Sequence, residues 1–99
     1  MNPVIFHPEA EQEANDAVDY YDRLRSELGD HLRSELTVAV NRIRDNPLLY
    51  AIDTGLMRIC ILRRFPYSIQ YEIHETNIWV AAVAHQKRKP DYWMHRKPN

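Results

Sequence analysis

The residues of this 99-residue chain that could do chemistry gather near its C-terminal end. His85-Gln86-Lys87-Arg88-Lys89 sets one imidazole, a group that titrates near neutrality, beside three cations. That combination suits proton transfer or phosphate binding, and equally a solvated strand end that aids solubility. Pro90-Asp91-Tyr92-Trp93 follows at once, and residues 94–97 add more bases. Tyr92 and Trp93 in basic surroundings can stack on nucleobases, but an aromatic pair at a C-terminus more often folds back as an anchor. A second cationic group, Arg63-Arg64, precedes Phe65-Pro66-Tyr67 between two apolar runs. Either guanidinium can hold a phosphate or carboxylate at a sheet rim. The alternative is an ordinary charged strand end with its turn fixed by Pro66.

Other chemistries find little support. No two of the five histidines (His7, His31, His74, His85, His95) have the spacing of a metal-ligating pair. The single cysteine, Cys60, sits in mid-strand as a small core residue and excludes a disulfide within the chain. With only Gly29 and Gly55 there is no glycine loop to cradle phosphates, and no nucleophilic triad is visible. Neither metal nor cofactor is expected.

Three apolar runs in residues 57–97, dense in Ile, Val, Tyr and Trp, must position these groups. They read as consecutive strands joined by connections short enough for antiparallel neighbours. Tyr67, Ile69, Tyr71 and Ile73 alternate with Ser68, Gln70, Glu72 and His74, which predicts one face on the core and one in water. Residues 78–84 are apolar on both faces and predict the most buried strand, with Ala81, Ala82 and Ala84 leaving room for helices. Upstream, residues 3–7 predict a first strand. Ala10, Ala14, Ala17, Tyr21, Leu24 and Leu28 form the stripe of an amphipathic helix that opens at Pro8 and carries Glu9, Glu11 and Glu13 near its positive end. Gly29 reads as its stop and Asp30 as the N-cap of a second helix, whose buried face is Leu32, Leu36, Ala39, Val40 and Ile43 and which ends at Asn46-Pro47. Residues 48–55 read as a loop. The expected architecture is α+β: an N-terminal strand, an antiparallel helical hairpin packed on a small, mainly antiparallel sheet, and a short C-terminal tail.

Length predicts one domain over residues 1–99. No apolar run approaches the ~20 residues of a membrane helix, and no signal-peptide pattern opens the chain, so a cytoplasmic protein without membrane contact is expected. The net charge of −1 hides a division. Residues 1–55 hold eleven acids against five bases, a balance of −6, and residues 56–99 hold eight bases against three acids, a balance of +5. Such asymmetry fits an interaction surface, or an acidic helical layer matched to a basic sheet.

In this order and on this topology, Arg64-Phe65-Pro66-Tyr67, Tyr71-Glu72-Ile73 and Ala82-Val83-Ala84-His85, followed by Arg88, Pro90 and Trp93, resemble the RelE/ParE toxins of bacterial type II toxin–antitoxin systems. The resemblance covers essentially the whole chain. It implies a small toxin that arrests growth and is neutralised by a cognate antitoxin wrapped around its helices and sheet. Tyr21, Leu24, Leu28, Leu36 and Val40 are the antitoxin-binding candidates, and DNA is contacted only through the antitoxin.

Two target classes follow from the resemblance. RelE-like members cut mRNA on the ribosome, which needs a base, an acid and cations around the transition state; His85, Arg88 and Tyr92 are the catalytic candidates in that case. ParE-like members inhibit DNA gyrase without cutting. The RelE branch places an arginine just after the tyrosine that Tyr67 matches, and this chain has Ser68 there. The phenylalanine-proline-tyrosine turn and the C-terminal ending look more like the ParE-type and plasmid-stabilisation members. The target-binding candidates are therefore Arg63, Arg64, His85, Lys87, Arg88, Tyr92 and Trp93. A degenerate toxin that only binds its antitoxin is the remaining alternative.

Overall fold

In the computed structural model, which describes residues 2–98, two helices pack on a five-stranded mixed sheet. The strands are β1 (Val4–Phe6), β2 (Ile52–Thr54), β3 (Met57–Ile61), β4 (Tyr67–Ile73) and β5 (Ile78–His85), arranged β1-β5-β4-β3-β2. All neighbours are antiparallel except β1 and β5, which run parallel with Val4 opposite Ile78. The helical layer and three strands intervene between β1 and β5, so there is ample chain for a parallel pairing. β5 is buried at every position but its last, as its apolar run predicts.

Helix α1 (Pro8–Leu24) begins where the sequence places it. Pro8 needs no N–H partner in the first turn, His7 accepts the Glu9 N–H on Nδ1 at 3.0 Å, and Glu9 and Glu11 meet the positive end of the helix dipole. Ala10 and Ala17 are buried against the sheet, and their small side chains let α1 approach β5 closely. The helix ends four residues before the expected stop. Arg25 turns extended, with φ −162°, and α2 (Ser26–Asp45) starts at the next residue. Leu28 and Gly29 therefore belong to α2, and Asp30 is not its cap. Gly29 answers a different need: a Cβ there would lie 1.6 Å from Asp22 Oδ1, so the glycine admits the last turn of α1.

Between helices and sheet, Leu32, Ile43, Ile69, Tyr71, Ile78, Val80 and Val83 are fully buried. Cys60 joins them at 3% exposed. The Tyr71 hydroxyl donates to the Pro47 carbonyl at 2.6 Å and pins the chain just after α2.

The expected loop over residues 48–55 contains β2. Thr54 pairs with Met57, which leaves the two-residue turn Gly55-Leu56, and Gly55 takes φ +58°. A glycine with positive φ at the first turn position is the hairpin signal; a three-residue strand is too short to show a period.

The second face of β4 also departs from expectation. Ser68 and Gln70 are 5% and 4% exposed rather than in water, because the C-terminal tail folds across them. A second apolar cluster forms on that side from Met57, Trp79, Ala81, Ala82 and Trp93, with Tyr92 beside it. Ala81 and Ala82 thus make room for the tail, not for the helices. The register explains why both turn that way. Gln70 faces Ala82 and Tyr71 faces Val80, so Ala81 is the extra residue of a bulge.

Candidate functional site

The site is made where β5 leaves the sheet and the tail returns. Gln86 N–H donates to the Pro66 carbonyl at 2.8 Å and Arg88 N–H to the His85 carbonyl at 2.9 Å, which turns the chain at the strand exit. Asp91 takes φ +63°, in the left-handed region that Asp tolerates better than most residues. The reversal delivers Trp93 onto Met57, Trp79, Ala81 and Ala82, where it is 6% exposed. Its indole is an anchor, and little of it faces outward.

Beyond Val80, where β1 ends, β5 has no neighbouring strand on its outer side. Two side chains occupy that edge. Arg96 Nη1 donates to the Ala81 carbonyl at 2.9 Å, and Glu13 Oε1 accepts the Val83 N–H at 3.0 Å. The same carboxylate receives Arg96 Nη1 and Nη2, each at 3.0 Å, and the Tyr92 hydroxyl at 2.5 Å. Only 5% of the Arg96 side chain and 16% of Glu13 reach solvent. A bidentate, shielded pair of this kind fixes geometry as well as charge, and here it clamps the tail to α1 and β5. Neither residue was assigned this role from sequence. The local pattern presents Glu13 as a charge at the helix dipole and Arg96 as one of several tail bases. One signal was present: Glu13 stands on the stripe with Ala10 and Ala17, and a carboxylate on a buried stripe requires a cation.

On the face away from the helices, the tail and strands enclose a cleft of ≈ 230 Å³. Ser68, Gln70 and Ala84 form its floor, Ile59 and Ile61 flank it from β3, and Tyr92 and Trp93 wall it on the tail side. Asp53, His85, Arg88, Lys89 and Asp91 also line it. His85, Arg88 and Tyr92 are therefore brought together, but Tyr92 is committed and His85 is engaged through Nδ1. Tyr92 gives its hydroxyl to Glu13, and burial, then that hydrogen bond, push its phenol well above the usual tyrosine range. His85 accepts the Lys87 N–H on Nδ1 at 3.0 Å and stands edge-on to Tyr67, ring centres 5.0 Å apart. The Arg88 guanidinium lies over the Tyr92 ring at 3.8 Å, and Lys87 is exposed beside it.

Arg63 and Arg64 are placed elsewhere. Both backbone N–H groups donate to Glu35 Oε2, at 2.7 and 3.3 Å, and Arg64 Nε meets Oε1 at 3.4 Å. They line a separate cleft with Arg42 and Tyr50, on the α2 side of β3. The helical candidates divide as well. Leu36 and Val40 border a groove with Phe6 and Val18. Tyr21 packs edge-on to Phe65 at 5.0 Å, Leu24 is 54% exposed, and Leu28 is half-buried.

Residues 4–90 match the family model described as the ParE toxin of the type II toxin–antitoxin system parDE. The chain belongs to the ParE toxin family. The fold agrees. A solved structure titled "Chromosomal ParDE TA system from P. aeruginosa" superposes with a TM-score of 0.74 at 14% identity, covering 86% of this chain and 96% of that one. A comparison with curated proteins returns no match. The family sequence thus ends its match at Pro90, so the clamp residue Arg96 lies beyond the matched stretch. Among the described residues no helix is long and apolar enough to cross a membrane, and no three His, Cys, Asp or Glu side chains gather as a metal site.

Burial also raises the phenols of Tyr21, Tyr50 and Tyr67, and pushes Tyr71 up to about 12. In the unfolded chain these groups ionise near pH 10. Above that pH the unfolded state binds fewer protons than the folded one, so stability falls as pH rises, and the contribution is fully present below pH 10. Urea midpoints should be lower at pH 11 than at pH 9, with the Tyr71→Phe variant losing less. Equal midpoints at the two pH values would contradict the burial of these phenols.

Proposed function

We propose that this ParE-family toxin arrests growth by binding DNA gyrase through the cleft behind β4 and its basic rim, without cutting RNA. A cognate antitoxin neutralises it in the cytoplasm. The observation that carries the reading is the commitment of Tyr92. A nuclease of the RelE type needs a free acid and a free base beside cations, and here the phenol is locked on Glu13 and held far from ionisation. Ser68 lies on the cleft floor where that branch carries an arginine. What remains is a shaped surface with cations at its edge, suited to recognition.

The antitoxin reading rests on the helical layer. Leu36 and Val40 line an apolar groove of ≈ 290 Å³ flanked by Arg33 and Arg44, which fits the apolar stripe of a partner helix with acids beside it. Any DNA contact of the complex is then the antitoxin's.

Purified chain added to gyrase and relaxed plasmid is expected to block supercoiling at near-stoichiometric ratios, and addition of the antitoxin to restore it. Full supercoiling at a large excess of folded toxin would remove gyrase as the target.

A further inference from the structure

We propose that the cleft behind β4 is a socket for one tyrosine side chain, presented by an acidic segment of the protein this chain binds. The proposal deepens the reading of the cleft as the target-binding surface and rests on it.

The floor of the cleft carries the inference. Gln70 is 4% exposed, its Nε2 donates to Ser68 Oγ at 2.7 Å, and its Oε1 has no hydrogen-bond partner among the described residues. Buried polar groups are nearly always paired. An unpaired amide oxygen on a residue that lines the opening, itself closed to solvent, therefore marks a side chain with a bond left to give once it turns toward a guest. The last torsion of a glutamine is broad, so the amide can turn toward a guest, exchanging its bond to Ser68 Oγ for one to the ligand. A phenol hydroxyl both donates and accepts, and pairs with whichever end it meets.

Above the amide the walls are apolar, Ile59 and Ile61 from β3 with only the small exposed part of Trp93 from the tail. They suit the body of a ring with its polar group at the tip. An opening of ≈ 230 Å³ is smaller than the pockets of drug-sized ligands and takes one large side chain. Charge selects the segment that carries the ring. Arg88 and Lys89 on the rim balance Asp53 and Asp91, and Lys87, exposed next to them in the chain, tips the sum to one positive charge. Acidic residues flanking the tyrosine would meet these cations as it enters.

A nucleobase is the rival guest. Base stacking needs an open aromatic face, and here Arg88 covers the Tyr92 ring while Trp93 is buried.

The test is an NMR titration of the folded, full-length chain with acetylated and amidated tripeptides. Asp-Tyr-Asp should shift the Gln70 side-chain amide and the Ile59 and Ile61 methyl signals, with millimolar affinity. Asp-Phe-Asp, lacking the hydroxyl, should bind about tenfold more weakly, the effect of leaving a buried partner unpaired. Lys-Tyr-Lys should also be weaker. Gln70→Leu should abolish the preference for Tyr over Phe. Equal binding of the Tyr and Phe peptides by the wild-type chain, no shift with any peptide, or stronger binding of deoxyadenosine monophosphate would overturn the proposal. The titration contains no gyrase, so its failure is separable from failure of the supercoiling assay.

Discussion

Glu13→Gln is expected to destabilise the fold by roughly 3–5 kcal/mol, the loss typical when one partner of a buried ion pair is removed. For a domain of this size that lowers the melting temperature by more than about 12 °C. The reason is concentration of function in one carboxylate. Glu13 accepts from the Val83 N–H, from both terminal nitrogens of Arg96 and from Tyr92, and it faces an arginine side chain that is 5% exposed. Glutamine keeps the shape but strips the guanidinium of its bidentate counter-charge, leaving only half-exposed Glu9, 3.6 Å from Nε, and turns one acceptor into a donor. Glu11→Gln, on the exposed side of α1, is the control and should change stability by less than about 0.5 kcal/mol. Thermal unfolding of the two variants decides the matter. A loss below about 1 kcal/mol for Glu13→Gln would mean that the clamp is ornamental.

The second large effect is on activity. The double reversal Arg88→Glu, Lys89→Glu replaces two cations of the cleft with acids and should weaken growth arrest on the order of a hundredfold, because like charges facing across an interface suppress association. Both positions are exposed, so the melting temperature should stay within a few degrees, apart from the small loss of the Arg88–Tyr92 contact. Binding to the antitoxin should survive if it docks on the groove at Leu36 and Val40. Growth arrest at wild-type dose by the folded variant would place the target elsewhere on the surface.

Much of the fold was legible in residue order. The Ile- and Val-rich runs of β3, β4 and β5 and the alanine stripe of α1 have periods long enough to read. The features that escaped are those where one residue serves a distant partner. Gly29 signals a helix stop locally, but it is small because Asp22 crosses there. Ser68 and Gln70 alternate like a solvent face, yet the tail covers them; nothing local to β4 announces a lid that comes from residues more than twenty positions away. The candidate site was half legible. His85, Arg88 and Tyr92 were found as a cluster because they are close in sequence. Their commitments were not, since Glu13 lies 79 residues from Tyr92 and 83 from Arg96. Grouping Arg63 and Arg64 with that cluster joined surfaces that the fold separates, because Glu35 holds the turn on the α2 side of the sheet.

The central claim, recognition without cleavage, is tested most directly by incubating the purified chain with ribosomes stalled on a defined mRNA and mapping transcript ends. A phenol locked to Glu13, and no arginine at position 68, predict full-length transcripts over a range of toxin doses that stops supercoiling. Transcripts cut at the ribosomal site by the wild-type chain, and spared by His85→Ala, would contradict the account.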